Sequence, residues 1–477
     1  MLGGKEIESK TNKEQIYFIL FGVDQKTILL SCLLSMLIGL GLFSCMITGC
    51  SSSNDDSDIF VELPIYNEGN FSQQSGAIFI DIHVGGNPYR VLFDTGSSTL
   101  ALNSFSCEDC EFYTGPYTLP VDGVIPCYSN LCPAPDESEE GSCISTCWND
   151  TQACEFCIEY DPGGYLGRWG IDDIRLGDSM TGSWLDAQVQ LGEIMKLEGS
   201  STQPPQELSG LGGFADGVFG AAGSAQNDVL NNPNIAPKTV LQHMGDKYLG
   251  GSYMPFALCF NATQGLLRIG RLSSTEDLPF SDPSSLRKLP IPEYADGFYG
   301  FDFTDLRVNG ISIGGTPDDF RASNAVWDTG TSGFVLQETI NNPQYSRFVR
   351  ALCNSTSSRT LRNEICNDEA FNDGCLENIT AADIISLAKV ELDLVINDQT
   401  ITFPASRLFF ESLGRPGDLS NNGEACPEGV FYNTVQKDSN YAIIGSYFMR
   451  YYSWYFDLEN EVVWMANSIG CQLHQCR

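Results

Sequence analysis

The sequence predicts an all-β protein built as two related lobes, and three observations carry that expectation. The string Phe93-Asp94-Thr95-Gly96-Ser97-Ser98 returns as Trp327-Asp328-Thr329-Gly330-Thr331-Ser332, each copy behind apolar residues. Each copy is followed at a similar distance by an apolar-apolar-glycine segment, Gly217-Val218-Phe219-Gly220 and Ala442-Ile443-Ile444-Gly445. The chain has 477 residues, more than one core ordinarily serves. One Asp-Thr-Gly reads as an Asx-turn in any β-protein. Two in corresponding places read as a duplicated unit, in which a strand ends in a tight turn and presents an Asp at its tip. The glycine there lets backbone approach backbone.

Composition narrows the partners. Lys and Arg number 26 against 61 Asp and Glu, a formal net charge of −35. That balance argues against nucleic acid and anionic membrane surfaces as partners, and it suits work at low pH. Eighteen cysteines point to an oxidising compartment.

Residues 1–26 carry Lys5, Lys10, Lys13 and Lys26 and read as a cytoplasmic tail. Residues 27–49 are uncharged and mostly apolar, long enough to cross a bilayer as a signal-anchor or signal segment. No Lys or Arg follows until Arg90, which places the body on the far side of the membrane. Ile47-Thr48-Gly49-Cys50 also resembles the lipobox of bacterial lipoproteins, with Cys50 as the lipidated residue. The expected location is therefore the secretory system or cell surface, with secretion or lipid attachment as alternatives. Residues 50–59, rich in Ser and Asp, read as a flexible tether.

The first lobe is expected over 60–245. Ile78, Ile80, Ile82 and Val84 alternate, Gly85-Gly86-Asn87-Pro88 turns the chain, and Tyr89, Val91 and Phe93 alternate again, a hairpin that delivers Asp94. Residues 107–157 form an insert with eight cysteines, 107, 110, 127, 132, 143, 147, 154 and 157. Cys107-x-x-Cys110 and Cys154-x-x-Cys157 have the spacing of a four-thiolate zinc site, but behind an export signal disulfides within the insert are favoured. Eight cysteines allow 105 pairings, and spacing does not choose among them.

The second lobe is expected over 246–477. Phe256–Phe260 and Leu266–Gly270 read as strands around a turn at Gln264-Gly265, and 338–390 reads as more helical. Gly310-Ile311-Ser312-Ile313-Gly314 spells a nucleophile elbow, yet no helical pattern follows and the chain has three histidines, so Ser312 reads as a turn residue. Sequons at Asn70, Asn149, Asn261, Asn354 and Asn378 permit glycosylation after export.

Over roughly residues 60–470 these pieces resemble the pepsin family of aspartic endopeptidases. The two Asp-Thr-Gly strings match its active-site loops, and Ile158-Glu159-Tyr160-Asp161-Pro162-Gly163-Gly164 matches its substrate-covering flap. The cysteine-rich insert is similar to that of a branch seen in plant enzymes. The resemblance implies a bilobal pepsin-like fold, two β-barrel-like lobes with the active site in the cleft between them. It implies catalytic Asp94 and Asp328, supported by Thr95, Gly96, Ser97, Thr329, Gly330 and Thr331. Tyr160 and Gly163 would cover the substrate. It implies a polypeptide substrate, no metal or organic cofactor, and a monomer attached to the membrane through 27–49. Two departures stand out. Ala101 occupies the place of a tryptophan that bonds the flap tyrosine in most relatives, and no basic prosegment precedes the first strand. The alternative implied by the same fold is a catalytically inactive binding or inhibitor protein.

Overall fold

Phe60–Tyr66 alternates buried and half-buried residues, so it needs a sheet around it. It finds its main partner in the other half of the chain, pairing antiparallel over its whole length with Gln264–Gly270. The computed structural model describes residues 59–66, 77–107, 110, 112–132, 153–160, 163–178, 183–199, 215–223, 237–251, 253–261, 264–367, 371, 374–376, 378–412 and 426–471. At 156–160, 163–164, 178 and 198–199 the backbone alone is described. The expected cytoplasmic tail, the apolar run and the tether up to residue 58 lie outside them. Among the described residues no helix is long and apolar enough to cross a membrane.

A thirteen-stranded sheet runs through both halves. From Gln264–Gly270 it passes through Phe256–Phe260, Tyr452–Asp457 and Val462–Asn467 to Arg287–Pro290 at one edge. From Phe60–Tyr66 it passes the other way through the hairpin Phe79–Val84 and Asn87–Asp94, then Gly217–Gly220 and Leu100–Asn103. Beyond these come the long strands Ser183–Gly199 and Gly163–Asp178, with Glu155–Tyr160 at the far edge. Three smaller sheets complete the second lobe, one of them Val326–Asp328, Ile443–Gly445, Phe334–Gln337 and Val435–Asp438. The all-β, bilobal expectation holds. The helix Gln344–Ser355 falls in the stretch read as helical and is stapled to the next, Arg359–Ile365, by Cys353–Cys366.

Turn chemistry explains most of the hairpins. Gly85 and Gly86 take φ of 57° and 85°, and Asn309 and Gly310 take 52° and 75°, the left-handed pairs a two-residue hairpin requires. Two expectations are corrected. Gln264 and Gly265 are not a turn but the start of a strand, with Gly265 opposite Phe260. A Cβ on Gly265 would stand 2.6 Å from the Cys259 carbonyl oxygen, so this glycine serves close strand packing. Ser312 is not in the turn but in the short strand Ile311–Ser312, opposite Arg307; its hydroxyl donates to Asp305 Oδ1 at 2.7 Å and accepts from the Gly314 amide.

Five cystines are present among the described residues: Cys107–Cys110, Cys132–Cys154, Cys259–Cys471, Cys353–Cys366 and Cys375–Cys426. Cys127 is also disulfide-bonded. Cys107 and Cys110 close on each other and Cys154 closes on Cys132, so those thiols are not available to zinc. Both cystines stay within the insert; Cys143 and Cys147 lie outside the described residues. Cys259–Cys471 ties the segment after Val462–Asn467 to the central sheet, and a staple of this kind contributes about 2–4 kcal/mol.

Candidate active site

Each aspartate rides the end of a strand that pairs in parallel with the following apolar-glycine segment. Asp94 lies opposite Gly220 and Asp328 opposite Gly445. The chain then doubles back, so the same segment also pairs antiparallel with the strand leaving the loop, Leu100 with Phe219 and Phe334 with Ile444. Each loop is thereby threaded by a later strand. A Cβ on Gly220 would stand 2.5 Å from the Ser98 carbonyl carbon, and one on Gly445 would stand 2.8 Å from that of Ser332. These glycines are what the threading requires.

The two loops then bond each other crosswise. The Thr95 amide donates to Thr329 Oγ1 at 3.0 Å, and the Thr329 amide donates to Thr95 Oγ1 at 2.9 Å. Thr95 Oγ1 donates onward to the Trp327 carbonyl, and Thr329 Oγ1 to the Phe93 carbonyl. Both threonines are fully buried. Four hydrogen bonds in near two-fold symmetry thus fix one loop against the other. Buried bonds of this kind cost more to break than their mean value suggests, because each orphaned partner stays out of water.

The carboxylates are held by matching sets of donors. Asp94 Oδ1 accepts from the Gly96 amide at 2.8 Å and Oδ2 from Ser97 Oγ at 2.5 Å. Asp328 Oδ1 accepts from the Gly330 amide at 2.8 Å and Oδ2 from Thr331 Oγ1 at 2.5 Å. A Cβ on Gly96 would stand 2.6 Å from Asp328 Cγ, and Gly330 faces Asp94 in the same way. The two carboxyls therefore meet over two residues without side chains. Asp94 is 5% exposed and Asp328 8%. Burial, and next the Asp328 carboxyl beside it, hold the Asp94 pKa well above its ordinary 3.8, against the Ser97 and Gly96 hydrogen bonds that pull it down. Such a pair can keep one proton and lose the other, which suits one member to accept a proton while its neighbour donates one.

The hairpin Glu155–Tyr160 and Gly163–Asp178 carries the expected flap, with Tyr160 paired to Gly163 at its described end. The side chain of Tyr160 lies outside the described residues. Ala101 is buried. Among the described residues no group of three His, Cys, Asp or Glu side chains is arranged to hold a metal.

One supporting residue escaped the sequence reading. Asp216 is fully buried, and its Oδ1 accepts from the amides of Tyr113, Thr114 and Gly115, its Oδ2 from that of Arg90 at 2.9 Å. It pins the start of the threading strand to the Asp94 strand and to the insert. Its donors are all backbone amides, which leave no mark in the sequence. The available hint was a lone acid opening an otherwise apolar run.

Three comparisons with known proteins bear on this arrangement. The family described as Eukaryotic aspartyl protease matches residues 77–468. A crystal structure of an aspartic proteinase from Irpex lacteus superposes with a TM-score of 0.55 at 16% identity, covering 88% of this chain and 100% of that one. At that identity the likeness speaks for the fold. No curated protein sequence matches. The family match spans most of the chain, including both aspartate loops and the strands threading them, and on that ground the chain belongs to the eukaryotic aspartyl protease family.

Proposed function

We propose that this chain is an aspartic endopeptidase in which Asp94 and Asp328 share one proton and act on polypeptides at acid pH. The observation that supports it best is the symmetric presentation of two buried carboxyls, each with one amide and one hydroxyl donor, across glycines that let them meet. The ionised carboxylate takes a proton from a water lying between the two, and that water's oxygen attacks the scissile carbonyl carbon. The protonated partner gives its proton to the carbonyl oxygen. Collapse of the tetrahedral intermediate breaks the C–N bond as the proton taken from water passes to the departing nitrogen. One hydroxyl of the intermediate returns its proton to the carboxylate that had donated, leaving a carboxylic acid, an amine and the starting shared-proton pair. Ser97 and Thr331 fix the carboxyls, and Thr95 and Thr329 hold the loops at the required spacing. Tyr160 and Gly163 cover the substrate. The protein works as a monomer, exported and held to a membrane through residues 27–49, a placement carried by the sequence. The inactive-protein alternative has no observation in its favour, since both loops keep their aspartate and glycine.

The test is turnover of an acid-denatured protein by the full-length chain at about pH 4, with and without a statine-type transition-state analogue. Cleavage that the analogue blocks is the expected result. A folded protein inert on many unfolded substrates between about pH 3 and pH 7 would overturn the reading.

A further inference from the structure

The strand leaving the Asp94 loop, Leu100–Asn103, reaches the flap hairpin through an intermediary. It pairs in parallel with Ser183–Gly199, which pairs antiparallel with Gly163–Asp178. The registers set Ala101 opposite Gly192, and Gly192 opposite Trp169. These three stand in one row, and residues in a row share a face of the sheet. The middle one has no side chain and the first has a methyl, so among these three Trp169 alone brings bulk, and beyond Ala101 the row continues with Val218 and Leu92. Trp169 is 3% exposed and belongs to one buried cluster with Ala101, Phe79, Tyr165 and Val218.

The backbone of Trp169 is also bonded to the insert, and its neighbours are pinned by polar contacts. Its amide donates to the Cys154 carbonyl at 2.8 Å and its carbonyl accepts from the Ile125 amide at 3.1 Å, so the cysteine-rich insert is stitched to it. The Cys132–Cys154 cystine closes that stitch. Next to it, Arg168 donates to Glu193 Oε2 at 2.5 Å, and Glu193, 1% exposed, also accepts from Ser104 Oγ at 2.8 Å. Three residues on, Asp172 accepts from Tyr117 Oη at 2.9 Å. Just before it the ladder shifts between Leu166 and Gly167, and Met195 falls between the pairs. Such a bulge re-aims what lies beyond it. The clamp thus begins where the bulge ends.

We propose that Trp169 is the positioning residue of the flap. It fills the space left over Ala101 and Gly192, and so couples the root of the hairpin to the strand leaving the Asp94 loop. The kinetic part of this proposal rests on the peptidase reading, whereas the packing part does not.

The experiment is a swap of bulk across the row, made in the full-length chain as Trp169→Leu, Ala101→Trp and the double variant, with Trp169→Phe as the conservative control. Trp169→Leu should lower kcat/KM about tenfold, mostly through KM, without moving the pH profile that the aspartates set. Ala101→Trp alone should lower the melting temperature, because two large groups then compete for one space. The double variant should recover to within about threefold of wild type in kcat/KM and should melt above both single variants. Trp169→Phe should fall between wild type and Trp169→Leu. An unchanged KM in Trp169→Leu, or effects that merely add in the double variant, would overturn the proposal. If the wild type cleaves nothing, the peptidase reading fails, and the swap is decided by the melting temperatures, where recovery supports it and additivity sinks it.

Discussion

The two aspartate loops make the same hydrogen bonds at their tips and differ in what stands behind them. Four residues before Gly220 stands Asp216, buried and bonded to four backbone amides. Four residues before Gly445 stands Tyr441, 44% exposed, and the nearby turn is made by Asp438, which accepts from the Asn440 and Tyr441 amides. The second lobe leans instead on aromatic packing. Trp327, fully buried one residue before Asp328, lies 4.3 Å from Phe301 and 4.7 Å from Trp454, ring centre to ring centre. In the first lobe Phe93 holds the matching place with more distant neighbours, Phe256 at 5.1 Å and Phe219 at 5.6 Å. Identical chemistry at the tip can therefore rest on a polar scaffold in one lobe and an apolar one in the other. What the duplication keeps is the loop and its threading strand.

This contrast can be broken from either side. The largest effect is expected at Trp327. Trp327→Ala should cost about 4 kcal/mol and Phe93→Ala about 3 kcal/mol, read by denaturant unfolding of each variant. A smaller loss at Trp327 than at Phe93 would mean that the second lobe does not depend on its aromatic stack. Next comes Asp216→Ala, which leaves four amides without an acceptor and should cost about 3 kcal/mol, whereas Tyr441→Ala should stay within about 0.5 kcal/mol. Equal costs at the two positions would remove the polar half of the contrast.

The third expectation concerns pH. The folded pKa of Asp94 lies above the 3.8 of an unfolded aspartate, so the folded chain holds this proton more tightly. The stability contributed is complete below pH 3.8 and is lost as pH rises through the folded value. Asp94→Asn has no such proton to lose and should gain on wild type as pH rises toward neutrality, in melting temperatures measured across that range. A constant difference would mean that Asp94 is not raised. The smallest effect belongs to Ser97→Ala. Ser97 pulls the Asp94 pKa down, so its removal should move the limb of the pH–rate profile set by Asp94 upward with the fold intact. An unmoved limb would assign that titration elsewhere.

Much of this was legible because it is local. Asp94, Thr95, Gly96 and Ser97 sit within four residues and announce a turn by composition alone, and the left-handed pairs Gly85-Gly86 and Asn309-Gly310 mark their hairpins just as plainly. What escaped is non-local. The alternation of Phe60–Tyr66 says strand but does not say that its partner is Gln264–Gly270, about two hundred residues away and in the other lobe. Gly265 looked like a turn because a glycine required by a neighbouring backbone and one required by a positive φ read alike in sequence. Asp216 was missed because backbone amides have no letter. The pairing of Cys107 with Cys110 is not legible in the sequence because spacing alone allows too many solutions.

The central claim is that Asp94 and Asp328 work as one unit, and the most direct measurement is kcat/KM at the acid optimum for wild type, Asp94→Asn, Asp328→Asn and the double variant. Each single change keeps the shape of the site and removes one exchangeable proton site. The account predicts that each single variant loses about a thousandfold or more and that the double variant is no more than about threefold worse than either, because half a shared-proton pair does no work. Losses that multiply in the double variant, or a folded single variant that keeps most of its activity, would contradict it.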